Sequence, residues 1–405
     1  MVGSCTPTAG PGGLPAGQPA PKSAEPSVRV GLAVGAGSAT IESDAGLSVT
    51  DPSGAQLAEI PAGEVWRVGI EGSRLVVANP GGGGSAPSEV LGIASPDTGF
   101  LVRVNGRLYR GDIQVLRDRT GFTVVNRVPL EAYLLGVVSA EMGRRSLSEL
   151  EALRAQAVVS RTYALRNLQR WEVQGFDLYA TVADQVYGGA GAETPEGLDA
   201  VLATRGRILT YDGGPIDAFF FSTCGGRTAD GTEIFRGADR PYLRSFADIA
   251  ADGTAYCSIS PRFRWREEWT GEELRATLQR TLPATLGVPA SDVREVNDVR
   301  VAYRTGSGRV GQLTIGLRGA AVQVDGPNVR QVLRPPSGDL LRSNDFSLTV
   351  TRVGRRVTRL VADGAGAGHG VGFCQWGAVG RSRAGQDYER ILTAYYPGAA
   401  LKRLY

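Results

Sequence analysis

The chain has 405 residues, of which 42% are hydrophobic, and this is enough material for one large core or two ordinary ones. Its 44 basic and 41 acidic residues are interleaved and leave a net charge of only +3, which argues against nucleic acid or another polyanion as the partner. The sequence contains no run of 18 or more apolar residues, so it predicts no membrane-spanning helix.

Residues 1–27 are dominated by Pro, Gly, Ala and Ser and have no apolar periodicity, so we predict a disordered tether. The opening Val-Gly-Ser-Cys resembles the end of a bacterial lipoprotein signal, in which Cys5 would become the lipidated first residue. No apolar segment stands before it, which leaves an accidental match as the alternative. We expect a location outside the cytoplasm, in the cell envelope, with membrane contact only through a lipid anchor at Cys5.

The remaining chain predicts a mixed fold. Residues 28–127 alternate apolar and polar side chains between Gly-rich turns and predict a β-rich N-terminal module. At residue 128 the period becomes helical, and we divide the rest into a core at 128–261, a smaller αβ lobe at 262–346, and the C-terminal part of the core at 347–405. We therefore predict an α+β protein with two lobes and a groove lined by helix ends and Gly-rich loops.

The stretch VPLEAYLLGVVSAEM, residues 128–142, carries a carboxylate on an apolar helical stripe. The stripe begins at Leu130 and its last member is Glu141, whereas Glu131 falls on the other side and is expected to be solvated. A carboxylate that faces the core loses hydration, which raises its pKa and suits a general acid. The structural alternative is that Glu141 reaches outward at the helix end or pairs with a buried arginine.

The next predicted helix lies in LSELEALRAQAVVSRTYALRNLQRW and carries Arg161 on its apolar stripe. Ser148 and Glu151 have the spacing of a capping box at its start. Arg161 could meet either the Glu141 carboxylate or a bound substrate. These options conflict, because an ion pair would lower the pKa of Glu141 and weaken its case as an acid.

His369 is the single histidine, which excludes multi-histidine metal catalysis and leaves a His-activated nucleophile without an identifiable orienting group. Carboxylate chemistry remains. Glycosidases ordinarily use two carboxylates, and the candidates for a second one are Asp184, Asp217 and Glu233. A single Glu would suffice if the substrate supplied its own nucleophile.

Aromatic and amide side chains near these stretches suit a carbohydrate, whose apolar faces stack and whose hydroxyls need hydrogen-bond partners. Each of them is also an ordinary core residue by type, and this alternative stays open. The set comprises Tyr163, Gln185, Tyr187, Gln375, Trp376, Tyr395 and Tyr396.

Three cysteines follow Cys5, namely Cys224, Cys257 and Cys374. We predict a disulfide between Cys224 and Cys257, with Cys374 as a free thiol. A zinc site made by all three cysteines with His369 is the less favoured alternative, because their spacing matches no metal-binding motif. We predict no cofactor.

Five blocks of the sequence resemble the SpoIID/LytB family. The blocks keep the family's order and run from about residue 100 to the C-terminus. This is the stage II sporulation protein D and amidase-enhancer group of bacterial cell-wall proteins. The blocks are VPLEAYLLGVVSAEM, ALRAQAVVSRTYAL, DQVYGG, TRGRILTYDGGPIDAFFFSTCGGRT and GHGVGFCQWGA.

The resemblance implies a lytic transglycosylase that cleaves peptidoglycan glycan strands, preferably strands stripped of stem peptides. Cleavage between N-acetylmuramic acid and N-acetylglucosamine would leave a 1,6-anhydro-muramyl end, because the sugar's own 6-hydroxyl attacks. The glutamate of the family's AEM block, its proposed acid/base, falls on Glu141. Further motif positions imply substrate binding by Arg161, Tyr163, Gln185, Tyr187, Ser222, Thr228, His369, Gln375 and Trp376.

The other branch of the family implies a competing function, that of a non-catalytic module that binds glycan or stimulates a separate cell-wall amidase. A third interpretation is a structural wall-binding lipoprotein. The presence of the AEM glutamate favours the enzyme. Where the family commonly shows a small or sulfur-bearing residue before the final Gln-Trp, this chain has Cys374, which keeps a structural thiol or metal role open.

Overall fold

The computed structural model describes residues 24–97 and 99–405. Cys5 and most of the predicted tether lie outside the described residues. The described chain mixes helices with several sheets, which confirms the predicted α+β class. None of the helices in this part of the chain is long and apolar enough to cross a membrane.

The strands in chain order are β1 (Ser27–Ala36), β2 (Ala39–Glu42), β3 (Leu47–Thr50), β4 (Gln56–Ile60), β5 (Trp66–Glu71), β6 (Arg74–Ala78), β7 (Val90–Ala94), β8 (Val102–Val104), β9 (Arg107–Tyr109), β10 (Asp112–Arg117), β11 (Phe122–Pro129), β12 (Leu178–Tyr179), β13 (Arg207–Tyr211), β14 (Gly214–Pro215), β15 (Phe220–Phe221), β16 (Arg264–Thr270), β17 (Val296–Arg304), β18 (Val310–Leu317), β19 (Ala320–Asp325), β20 (Phe346–Val353), β21 (Arg356–Ala365), β22 (Phe373–Cys374) and β23 (Ala400–Arg403). The α-helices are α1 (Leu130–Met142), α2 (Leu150–Arg166), α3 (Pro195–Ala203), α4 (Gly231–Ile234), α5 (Gly271–Leu286), α6 (Gly326–Val332), α7 (Gln375–Arg383) and α8 (Tyr388–Tyr395).

The N-terminal strands form two sheets. The larger one has the order β12-β1-β11-β10-β7-β3-β4, and the smaller one has the order β6-β5-β2-β8-β9. In β1, Val28 and Val30 are fully buried, whereas Ser27 and Arg29 are more exposed, as expected for a strand with one face on the core. Helix α1 follows β11 directly, so this sheet fixes where α1 begins.

Helix α1 is buried on nearly every side, because it packs against α2, α3 and the N-terminal strands. The expectation that Glu131 is solvated is therefore wrong: its side chain is buried. Gly136 permits a close approach, since a Cβ there would come within 2.6 Å of the Tyr187 ring. The predicted capping box is also displaced, because Ser146 and Glu149 form it in the turn before α2.

A second hydrophobic cluster is built from residues 265–362 and is separate from the main core. It lies among helices α5 and α6 and the two sheets β16-β21-β20 and β17-β18-β19. The strand β22 returns to the main core, where it pairs in parallel with β15, and α7 and α8 then pack against α2. The division of the chain into segments that we made from the sequence stays a prediction.

Candidate active-site groove

A groove of about 1460 Å³ is lined by residues of the main core and by residues of the second lobe, the part of the chain (265–362) built around the second hydrophobic cluster. The main core contributes the C-terminal end of α1, the end of β15 and the start of α7. The second lobe contributes Glu267, Arg330 and the segment 335–342. The groove is large enough for an extended ligand rather than a single small molecule.

Glu141 lies in this groove in the last turn of α1, which is capped by Gly143 with a φ of 69°. Its carboxylate accepts a hydrogen bond of 2.6 Å from the backbone N–H of Val186 and a long one of 3.5 Å from the Gln375 amide nitrogen. Among the described residues, no cation forms an ion pair with it. Loss of hydration outweighs these two hydrogen bonds and raises the pKa of Glu141 above its ordinary value.

Arg161 forms a buried ion pair with Glu131 rather than with Glu141. Its Nε and Nη2 atoms donate to the two oxygens of the Glu131 carboxylate at 2.9 and 2.6 Å, and the arginine side chain is fully buried. The conflict between the two roles of Arg161 is thereby resolved, because Glu141 keeps its raised pKa. Burial raises the pKa of Glu131, but hydrogen bonds from Arg161 and Tyr405 outweigh it, so the net shift is downward.

Asp184 anchors the segment that presents the Val186 N–H to Glu141. Its carboxylate accepts hydrogen bonds from the Tyr163 hydroxyl at 3.0 Å and from the Trp171 indole nitrogen at 2.8 Å. It also accepts a hydrogen bond from the backbone N–H of Tyr179 at 2.9 Å and forms an ion pair with Arg170. With these partners Asp184 acts as a positioning group for Val186.

The parallel pairing of β15 with β22 joins the Ser222 and Gln375 segments. The backbone N–H of Trp376 donates to the Ser222 carbonyl at 3.0 Å, which fixes the start of α7 against the end of β15. The guanidinium of Arg145 lies over the Trp376 ring at 4.5 Å from its centroid. The first turn of α7 thus carries an amide and an aromatic ring into the groove beside Glu141.

His369 lines the groove but is poorly suited to proton transfer. Its ring packs against Phe219, Phe221 and Phe235, and its Nδ1 accepts a hydrogen bond from the Val371 N–H. Desolvation lowers the pKa of His369 to about 4, so it is neutral at physiological pH.

Six of the predicted site residues line the groove, and they are Glu141, Tyr163, Ser222, His369, Gln375 and Trp376. The structure does not place the other four in the lining, because buried partners hold their side chains. Arg161 pairs with Glu131, the Gln185 carbonyl oxygen accepts from Tyr133, the Tyr187 hydroxyl donates to Asn126, and the Thr228 hydroxyl accepts from the Phe246 N–H.

The three sequence candidates for a second carboxylate all have strong partners. The partners of Asp184 are the hydrogen-bond donors and the arginine described above. Asp217 pairs with Arg166 and Arg240, each at 2.9 Å, and Glu233 accepts from the backbone N–H of Ser307 at 2.9 Å. Of the three, only Asp184 lines the groove. Among these four carboxylates, Glu141 is therefore the one best suited to exchange a proton.

The sequence reasoning missed the basic lining of the groove, and it missed the Val186 N–H. A functional backbone N–H cannot be recognised from the sequence, because every residue except proline has one. Arg145 follows the AEM block closely enough to have been noticed, whereas the others come from distant segments that only the fold brings together. The lining arginines are Arg145, Arg170, Arg262, Arg330 and Arg342.

The predicted disulfide is not present. The sulfur atoms of Cys224 and Cys257 lie 3.4 Å apart, whereas a disulfide bond is about 2.05 Å long, and both cysteines are free and buried. The two residues pack side by side in the core but remain thiols. The four-residue zinc alternative is not assembled either, because His369 faces the Phe220 carbonyl at 2.9 Å.

Comparison with known proteins agrees with the sequence blocks. The family model described as stage II sporulation protein matches residues 118–211, which include Glu141 and Arg161. A second model, for a domain of unknown function (DUF8618), matches residues 251–372, which include most of the second lobe.

Three relatives extend the match beyond these segments. An uncharacterized protein of Brachyspira hyodysenteriae is 31% identical over 73% of this chain and 72% of its own length. The stage II sporulation protein D of Bacillus subtilis is 28% identical over 70% of this chain and 77% of its own length. The amidase enhancer of Bacillus subtilis is 27% identical over 66% of this chain, but the match spans only 40% of that longer protein. The chain belongs to the SpoIID/LytB family.

Proposed function

We propose that the protein is a lytic transglycosylase of the bacterial cell wall, with Glu141 as its single acid/base. Membership of the SpoIID/LytB family supports a role at the cell wall. The observation that carries the enzymatic proposal is the state of Glu141. It is a desolvated carboxylate in a long groove, held by an N–H and an amide and, within residues 24–97 and 99–405, by no cation. A general acid needs this environment.

The substrate in this proposal is a peptidoglycan glycan strand, stripped of its stem peptides. Protonated Glu141 donates its proton to the glycosidic oxygen as the bond between that oxygen and C1 of N-acetylmuramic acid breaks. The resulting carboxylate then takes the proton of the 6-hydroxyl as that oxygen bonds to C1. The proton returns to Glu141, no water is consumed, and the product carries a 1,6-anhydro ring.

One carboxylate suffices for this route, and the partners of two other acids of the groove, Asp184 and Glu267, support it. A hydrolase would need a second free carboxylate to activate water or to attack the sugar. Asp184 is committed to several partners, and Glu267, which also lines the groove, faces Arg342 at 3.5 Å. The sugar's own hydroxyl replaces the missing nucleophile.

The test is to incubate the purified protein with glycan strands stripped of stem peptides and to identify the products by mass spectrometry. We expect muramyl ends that are lighter by one water than the products of hydrolysis. Reducing muramyl ends would instead indicate a hydrolase. Glycan binding without any new ends would contradict the enzyme and favour a binding protein.

The pH dependence of cleavage should report the raised pKa of Glu141. The acid form starts the reaction, so kcat/KM should fall as the pH rises through the pKa of Glu141 in the free enzyme. Because burial raises that pKa, the fall should lie at a higher pH than for an exposed glutamate, which titrates at about 4.3. A profile whose descending limb lies at or below that pH would contradict the assignment.

Trp376 should contribute binding rather than chemistry. In Trp376→Ala the glycan loses an aromatic face at the start of α7, and we expect KM to rise about tenfold, which corresponds to about 1.4 kcal/mol, while kcat changes little. Trp376→Phe keeps a ring and is the matched control, for which we expect a smaller rise. An equal loss of kcat in both variants would place Trp376 in the chemical step instead.

The runner-up function is that of an amidase enhancer or a wall-binding protein, and one observation favours it: a Bacillus subtilis relative is named an amidase enhancer. In this case the groove would hold glycan without cleaving it, and the partner would be a cell-wall amidase. Either function places the protein outside the cytoplasm, where peptidoglycan is found. The assay above separates the two, because only the enzyme produces new ends.

A further inference from the structure

Three cysteines from distant parts of the chain meet in the core beside the groove. Cys224 follows β15, Cys257 lies in a 3₁₀ turn at Tyr256–Ile259, and Cys374 ends β22. All three side chains are fully buried, and their sulfur atoms lie within 4.8 Å of one another. Packing alone often brings two thiols into contact, but three converging sulfur atoms indicate a common ligand.

The surroundings of the sulfurs are polar. Backbone N–H groups donate to two of them: that of Cys224 to the Cys374 sulfur at 3.1 Å, that of Gly377 to the same sulfur at 3.2 Å, and that of Gly226 to the Cys224 sulfur at 3.4 Å. Cys374 is also the N-cap of α7, where the helix dipole stabilises negative charge. Such N–H donors commonly surround metal-bound thiolates.

A carboxylate stands next to the cluster. Asp248 is fully buried, and its Oδ2 lies 3.4 Å from the Cys224 sulfur and accepts the Tyr395 hydroxyl at 2.7 Å. Its Oδ1 pairs with Arg381 at 2.8 Å, which places a positive charge beside the thiols. Asp248 is the oxygen donor at hand for a fourth coordination position, and Arg381 offsets part of the charge of a thiolate-rich site.

We propose that Cys224, Cys257 and Cys374 bind one Zn²⁺ ion, with Asp248 as the neighbouring oxygen donor. Two sulfurs that bind one zinc at 2.3 Å in tetrahedral geometry are about 3.8 Å apart, so sulfurs within 4.8 Å need only small shifts. Soft thiolate ligands select zinc over the hard ions Mg²⁺ and Ca²⁺. On binding, the thiols release their protons to solvent and no electron is transferred.

The consequence for the fold is local. Gln375 and Trp376 follow Cys374 directly, and Ser222 precedes Cys224 by two positions, so the metal would tie together both segments that form the groove wall beside Glu141. Cys257 lies in the turn that packs against α7 and leads to the second lobe. The zinc is therefore structural in this proposal and takes no part in the reaction.

The test measures the metal content of the full chain, purified under reducing conditions and passed through metal-free buffer, by inductively coupled plasma mass spectrometry. We expect about one zinc per chain, and less than about a tenth of that in Cys257→Ser and in Cys374→Ser. Cys5→Ser, which removes the one cysteine outside the set, should keep the metal. Replacement of zinc by Co²⁺ should give the sulfur-to-cobalt absorption band of a thiolate site.

Two results would overturn the proposal, and neither depends on glycan cleavage. A metal-free wild type would contradict the zinc site, and an intact mass lower than that of the thiol form by two hydrogen atoms would show in addition that a disulfide has formed instead. A zinc content that survives both Cys257→Ser and Cys374→Ser would show that the metal lies elsewhere. Because the wild-type content is measured directly, a variant that fails to fold does not decide the outcome.

Discussion

Replacement of Glu141 by Gln is expected to lower kcat/KM for glycan cleavage by about 10²–10⁴-fold, the range of a lost general acid/base. Gln keeps the shape of the side chain, and its carbonyl oxygen can still accept the Val186 N–H, so the groove should stay intact. It cannot give or take the proton. The measurement is the initial rate of formation of 1,6-anhydro ends, with glycan binding measured in parallel and expected to persist.

Glu267→Gln is the matched comparison, because it neutralises another carboxylate that lines the groove. Glu267 faces Arg342 and has no part in the proposed proton transfers, so its rate should stay within about tenfold of the wild type. A loss as large as that of Glu141→Gln would indicate a two-carboxylate mechanism. Wild-type cleavage by Glu141→Gln would remove Glu141 from the chemistry altogether.

Stability measurements separate a lost proton donor from a damaged fold. The pKa of Glu141 is raised in the folded state, so its contribution to stability is present below the unfolded pKa and is lost as the pH rises through the folded one. At neutral pH the buried carboxylate therefore opposes folding. Glu141→Gln should be at least as stable as the wild type there, with a gain of about 1 kcal/mol that disappears in acid.

The position of Glu141 was predictable because helical periodicity is local. Leu130, Tyr133 and Val137 are all buried, and Glu141 continues the same stripe to the end of the helix. The stripe could not show that the opposite side of α1 is also covered. Glu131 looked solvated because its partners are distant in the sequence: Arg161 lies 30 residues further along, and Tyr405 is the last residue of the chain.

The groove itself depends on tertiary contacts that the sequence records only indirectly. Gly-rich stretches with aromatic residues indicated loops near a ligand. The pairing of β15 with β22 decides which of these loops reach Glu141. Tyr187 and Thr228 belong to the same blocks and are instead held inside the core. The three cysteines are similar: their wide spacing favoured a disulfide between two of them, whereas the fold brings all three together.

The largest stability effect is expected from Arg161→Met. This change leaves the Glu131 carboxylate buried without its cation, and we expect the free energy of unfolding to fall by about 3–5 kcal/mol at neutral pH. The measurement is chemical denaturation of the full chain. An unchanged stability with a raised KM for glycan would contradict the structural role and restore Arg161 as a substrate-binding residue.

The pH dependence of that loss follows from Glu131. In the wild type its pKa is lowered in the folded state, so the ion pair stabilises the fold above the unfolded pKa and this contribution is lost as the pH falls through the folded one. In Arg161→Met the isolated carboxylate should take up a proton more readily, so the difference between the two proteins should narrow in acid. Adding Glu131→Gln, which keeps an acceptor for Tyr405 and for the Gly206 N–H, should restore most of the stability at neutral pH. If Glu131→Gln restores none of the stability, the loss in Arg161→Met comes from packing rather than from an unpaired buried charge.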